Sequence, residues 1–136
     1  MGSTPIRGLG EIALRVRDLA AMRSFYEKIV GLEVLGTFPN SVFFRIADGV
    51  AGHTQVLALF DRSPLPAEEE PSSARTTLDH LAFGIAPADY AGERARLEGL
   101  GLSVRTAEHA WVHWRSLYVS DPEGNLVEWV CYDERV

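Results

Sequence analysis

Residues 11–31 read EIALRVRDLAAMRSFYEKIVG, and the change of period within that stretch decides the fold. From Glu11 to Arg17 the apolar residues Ile12, Leu14 and Val16 alternate with Glu11, Ala13 and Arg15, the two-residue period of a half-buried strand. Asp18 stops the strand and suits the N-cap of a helix, because its carboxylate can accept from the unpaired N–H groups of the first turn. Leu19, Met22, Phe25, Tyr26, Ile29 and Val30 then recur at three-and-four spacing, and Gly31 falls at the C′ position, where a left-handed residue ends a helix. Three runs rich in β-branched and aromatic residues follow, Leu32 to Phe38, Ser41 to Ala47 and Thr54 to Phe60, broken at Pro39-Asn40, at Asp48-Gly49 and at Gly52. The first half therefore reads βαβββ.

The same order returns further along. Residues 62–76 carry three Pro, three consecutive Glu and several Ser, a composition that marks a surface connection rather than core. Beyond it Leu81, Phe83 and Ile85 alternate with His80, Ala82 and Gly84, and Pro87 suits the first turn of a helix running to Leu97 and closed by Gly99 and Gly101. Strands are expected at Leu102 to Ala107, Trp111 to Ser120 and Leu126 to Asp133, with Asp121 to Asn125 as the last hairpin turn. Each half alone leaves one sheet face uncovered, so two halves must pair their sheets, within one chain or across a dimer. The expected architecture is α+β: two βαβββ modules (8–61 and 77–134, linker 62–76) in a single domain of residues 1–136, forming paired mixed sheets around a concave cleft.

Composition bounds the function. A chain of 136 residues is of single-domain size, and 46% hydrophobic with 24% charged residues is near the globular average. No stretch has the eighteen or so apolar residues of a membrane span. A net charge of −6 with no basic run argues against a nucleic-acid partner. The single cysteine, Cys131, cannot form an internal disulfide, and no apolar signal-type stretch opens the chain, so a cytoplasmic location is expected.

If the larger apolar residues of each first strand face the helix, the other face looks into the cleft. Glu11 and His80 then occupy equivalent cleft positions. In the last strand Glu128 stands among Leu126, Val130 and Tyr132, where an ionised carboxylate would cost several kcal/mol unless paired, hydrogen-bonded or bound to metal. The corresponding place in the first half is Val56, which has no donor atom, so the count is three ligands: Glu11, His80 and Glu128. One imidazole and two carboxylates suit one divalent ion, Mn²⁺, Fe²⁺, Zn²⁺ or Mg²⁺, with the oxygen-rich set favouring the harder ions. If the last hairpin places Tyr118 opposite Glu128, then Trp114, Ser116 and Tyr118 share the cleft face, and these with Val56 would meet the substrate; a slip of one would present His113, Arg115 and Leu117 instead. His53, His109 and His113, which lie near strand ends or on a face pointing away from Glu128, are expected in surface or supporting roles, and Cys131 as an inert buried thiol.

Glu11-Ile-Ala-Leu-Arg-Val-Arg-Asp18, then Phe25-Tyr26 and Val30-Gly31-Leu32, resembles the first module of the vicinal oxygen chelate superfamily, which includes glyoxalases, extradiol dioxygenases, fosfomycin-resistance enzymes and bleomycin-resistance proteins. Asp79-His80-Leu81-Ala82-Phe83-Gly84-Ile85 resembles the strand that carries a metal histidine there, and the run Tyr118 to Glu128 resembles the hairpin ending in a metal glutamate. One departure is that relatives usually place His or Gln where this chain has Glu11. The resemblance implies a homodimer and a metal-dependent enzyme whose small oxygenated substrate chelates the ion; Tyr118, placed on the cleft face by the hairpin, would then donate a hydrogen bond. Residues 82–91 look similar to fosfomycin-type thiol transferases, and residues 52–60 to dioxygenase-related members. Glyoxalase-type proton transfer is disfavoured, because its usual fourth ligand falls on Val56. The alternative is a non-catalytic protein of the bleomycin-resistance type, sequestering an antibiotic by aromatic stacking on Trp111 and Trp114 in an acidic groove.

Overall fold

A computed structural model describes residues 5–62 and 77–136. The chain divides into two compact units, Met1–Pro71 and Ser72–Val136. The connection expected over 62–76 lies, apart from Arg62, outside the described residues.

In the first unit β1 (Glu11–Val16) leads into α1 (Leu19–Ser24), followed by β2 (Glu33–Phe38), β3 (Ser41–Asp48) and β4 (Thr54–Asp61). The sheet order is β1-β4-β3-β2, with β1 parallel to β4 and the other pairs antiparallel. Asp18 caps α1 by accepting from the Ala21 N–H at 3.0 Å. The helix does not keep one winding to Gly31: over Phe25–Val30 it widens to a π-type turn, which Gly31 closes at φ 88°. Leu14, Val16, Met22, Phe25, Tyr26, Val42, Phe44, Leu57 and Leu59 form the core here. Tyr26 packs edge-on to Phe25, ring centroids 5.1 Å apart, and tilted against Phe44 at 6.3 Å.

The second unit repeats the plan with β5 (His80–Gly84), a single 3-10 turn at Pro87–Asp89, α2 (Tyr90–Gly99), β6 (Arg105–His109), β7 (Trp114–Ser120) and β8 (Leu126–Tyr132). Its order is β5-β8-β7-β6, with β5 parallel to β8. Leu81, Leu97, Leu117, Val119, Val127, Trp129 and Cys131 are buried, and burial pushes the Cys131 thiol above its ordinary range, as suits an unreactive core group. Among the described residues, no helix is long and apolar enough to cross a membrane.

Two strands differ from the sequence reading. The third strand from the end begins at Arg105 rather than Leu102, because Gly101 at φ 80° and the residues after it turn away from α2. The next begins at Trp114 rather than Trp111, because residues 109–113 form the hairpin turn, with Val112 N–H on the His109 carbonyl and His113 at φ 59°. The shift brings His109 into the sheet. The last hairpin is organised by Asp121, whose carboxylate accepts from the Glu123 and Asn125 N–H groups, both at 2.9 Å, and from the Asn125 amide at 2.8 Å.

Past β8, the Asp133 carboxylate accepts from Arg135 Nε and Nη2, both at 2.9 Å, and from the Arg135 N–H at 3.0 Å. These hydrogen bonds hold its pKa at about 2 against an ordinary 3.8. A carboxyl depressed in the folded state stabilises it above the unfolded value, and that contribution is lost as pH falls from about 4 towards about 2. Urea midpoints at pH 5 and pH 2.5 are therefore expected to fall further for the wild type than for Asp133→Asn. Equal falls would mean that this cluster contributes nothing to acid sensitivity.

Candidate functional site

Register decides which side chains share a face, because neighbours across a ladder point the same way. In the second unit Ala82 pairs with Glu128, Glu128 with Tyr118 and Tyr118 with Arg105, so these four cross the sheet in one row. Gly84, Val130, Ser116 and Ala107 make the next row, and Tyr132, Trp114 and His109 the one after it. On the other side His80 pairs with Leu126, and Leu126 with Ser120. Tyr118 stands opposite Glu128, so the one-residue slip that would have presented His113, Arg115 and Leu117 does not occur. The opposite face carries Leu81, Leu117, Val127 and Trp129 into the core.

On the site face, Glu128 is only 5% exposed, and the fully buried Ser116 donates its hydroxyl to Glu128 Oε2 at 2.6 Å. Its other oxygen, Oε1, lies 3.1 Å from His80 Nε2. The opposite ring nitrogen, Nδ1, lies 2.7 Å from the Asp79 carboxylate, which can only accept, so Nδ1 carries a proton. In the neutral ring Nε2 then presents a lone pair, aimed at a carboxylate oxygen that presents another. Two such atoms at this separation need a cation or a second imidazole proton between them. Neighbouring ligands of one divalent ion sit roughly 3 Å apart when each bond is about 2.1 Å. The donor set and its spacing fit such an ion, and Asp79 orients the imidazole as carboxylates orient metal-bound histidines.

Beside this pair stands Tyr118, its ring centroid 6.5 Å from that of His80. Burial pushes its phenol above the ordinary 10.0, so it is protonated and able to donate at neutral pH. His109 Nε2 lies 3.2 Å from that phenol, and the Arg105 guanidinium sits 4.9 Å from the ring centroid. Trp114 is 44% exposed and contacts the 84% exposed Trp111 at 6.5 Å.

The structure thus gathers His80, Ser116, Tyr118 and Glu128, with Trp114 farther along the same strand. Glu11 and Val56 belong to the first unit, where they are direct ladder partners. Among the described residues, no three His, Cys, Asp or Glu side chains form a cluster that could hold a metal ion. Two expectations are corrected. His109 does not point away from Glu128; it lies on the same face and touches Tyr118, because β6 runs two residues further than its composition indicates. Val56 is not the register counterpart of Glu128. His80 pairs two positions before Glu128, whereas Glu11 pairs directly with Val56, so the counterpart is Ala58, which also lacks a donor atom. Arg105 escaped the sequence reading for the same reason as His109: at the end of a loop-like stretch, alternation gives no sign of facing. His113 has a supporting role, with Nδ1 2.6 Å from the Val136 carbonyl.

A protein with this fold and these motif positions belongs to the Glyoxalase/Bleomycin resistance protein/Dioxygenase superfamily, whose family model matches residues 8–129. Members of that superfamily are generally metal-dependent and act on small molecules. The chain is 30% identical over 121 residues to the catechol-2,3-dioxygenase of Bacillus subtilis (strain 168), an alignment covering 88% of this chain and 40% of that protein. The chain thus spans well under half the length of this curated relative. Among solved structures, a glyoxalase/dioxygenase from Nostoc punctiforme superposes with a TM-score of 0.72 at 25% identity, covering 98% of each chain. A lactoylglutathione lyase from Agrobacterium tumefaciens superposes with a TM-score of 0.67 at 29% identity, covering 93% of this chain and 95% of that one.

Proposed function

We propose that this protein is a metal-dependent enzyme of the dioxygenase type, acting on a small molecule with two adjacent oxygens, such as a catechol. The observation that carries this is the 3.1 Å approach of His80 Nε2 to Glu128 Oε1, two groups that can both ligate a metal, next to the Tyr118–His109 pair. His80 and Glu128 would hold the ion, the domain comprising residues 1–136 of a cytoplasmic homodimer. A bound Mn²⁺ or Fe²⁺ would supply Lewis acidity toward the substrate oxygens.

The chain's own groups do the rest. Ser116 fixes the Glu128 carboxylate, and Asp79 fixes the tautomer of His80. The Tyr118 phenol donates a hydrogen bond to a substrate oxygen, while His109 beyond it can take up or return the proton displaced from the diol. The net reaction would add both atoms of dioxygen across one carbon–carbon bond of the diol, leaving a carbonyl and a carboxyl. Glyoxalase-type proton transfer is disfavoured, since Ala58 offers no fourth donor that could act as base.

The test is to reload the protein with Fe²⁺ or Mn²⁺ without oxygen, measure metal per chain, and follow catechol under air by absorbance of the ring-opened product. Near-stoichiometric metal and turnover are expected. Metal without turnover, but with addition of a thiol to fosfomycin, would move the activity to the thiol-transferase branch. A chain that retains no metal would overturn the enzyme reading. The second reading, sequestration of an aromatic antibiotic, would then gain weight from the exposed Trp111–Trp114 pair.

A further inference from the structure

In the second unit, Arg94 pairs with Glu98, Arg96 with Glu93, Arg115 with Glu108 and Asp133, and Arg135 with Asp133. Arg105 differs. It is exposed, and among the described residues it has no carboxylate partner; its guanidinium lies over the face of the Tyr118 ring, 4.9 Å from guanidinium carbon to centroid. Stacking on an aromatic face restrains a guanidinium while leaving its N–H edges free to bond. In a chain of net charge −6, an arginine held beside the site with no carboxylate partner among the described residues can take an acceptor from a bound molecule.

Register adds direction. Arg105 is the end of the row Ala82–Glu128–Tyr118–Arg105, on the edge strand, so Tyr118 stands between it and the metal-binding pair. A molecule whose oxygens reach the His80–Glu128 pair and which extends across Tyr118 would bring its far side to Arg105. We infer that Arg105 is a specificity-determining residue that selects substrates bearing a carboxylate on the side remote from their adjacent oxygens. This rests on the diol reading above and narrows it to diols with an anionic substituent, such as dihydroxyphenyl carboxylates. The planar fork of guanidinium donors matches a carboxylate with two parallel hydrogen bonds, which a lysine cannot reproduce.

The experiment compares dissociation constants of catechol and of 3,4-dihydroxyphenylacetate for the Mn²⁺-loaded protein by calorimetry without oxygen, in wild type, Arg105→Gln, Arg105→Lys and His80→Ala. Wild type is expected to prefer the acid by about tenfold, the worth of one charge-assisted hydrogen bond at a partly exposed site. That ratio should fall to near one in Arg105→Gln, recover in part in Arg105→Lys, and shrink for wild type as salt rises. Equal affinity for the two diols in wild type, or a preference that survives in Arg105→Gln, would overturn the role of Arg105 and leave the diol reading standing. Failure of wild type to bind either diol, or undiminished binding in His80→Ala, would instead overturn the diol reading, and the inference with it.

Discussion

Glu128→Ala and His80→Ala are each expected to lower affinity for Mn²⁺ or Fe²⁺ by more than about 100-fold, since removing a partner that merely orients a ligand already costs 10–100-fold. Both substitutions also bear on stability. The His80 side chain is 39% exposed and its Nδ1 bond is to an exposed aspartate, so little packing is lost with it, but its removal leaves the buried Glu128 carboxylate without its imidazole neighbour and should cost about 1–3 kcal/mol. Glu128 is 5% exposed and holds the buried Ser116 hydroxyl, so truncating it leaves that donor unpaired and costs about 1–3 kcal/mol. Ser116→Ala probes orientation alone: it keeps both donor atoms but frees the carboxylate, and should weaken metal binding about 10–100-fold. Metal content after dialysis against a competing chelator, together with urea midpoints, reads both quantities. Equal metal retention in wild type and both ligand variants would show that the pair is an ordinary buried hydrogen bond.

Much of this site is legible in the sequence, for a physical reason. Glu128 interrupts an apolar alternation, and burying a carboxylate is costly enough that its presence points to a partner. His80 follows from the alternation of the strand that carries it, whereas for Tyr118 the sequence leaves a one-residue slip open, and the ladder of the hairpin closed at Asp121 to Asn125 sets it opposite Glu128. Short strands bounded by turn residues gave the two βαβββ units in the correct order. What escaped were features set by tertiary register. Residues 102–113 contain no sustained alternation, so the start of β6 and the inclusion of His109 depend on where the 109–113 turn forms. The offset between β1 and β4 is likewise a matter of pairing, which neither strand encodes alone, and it moves the counterpart of Glu128 from Val56 to Ala58. The π-type turn over Phe25–Val30 is invisible to a pattern read at 3.6 residues per turn.

That turn brings the second large effect. Tyr26→Ala is expected to destabilise the protein by about 3–5 kcal/mol, the range for removing a large aromatic side chain from a well-packed core. Tyr26 is fully buried and sits between Phe25 at 5.1 Å and Phe44 at 6.3 Å, so truncation removes both ring contacts and leaves a cavity. The backbone cannot readily move in to fill it. The Tyr26 carbonyl accepts from the Gly31 N–H and from the Leu32 N–H at 2.9 Å, which anchors the residue at the point where the helix stops. Tyr26→Phe keeps the ring, and its cost should stay well below that of the alanine variant. Ile29→Ala, on the same turn but only partly exposed rather than buried, should also cost less, because less apolar area leaves water there on folding. Urea denaturation of the three variants orders these costs. If Tyr26→Ala fell within about 1 kcal/mol of wild type, the aromatic cluster would be collapsing around the gap, and the π-type turn would be the part of the first unit that yields.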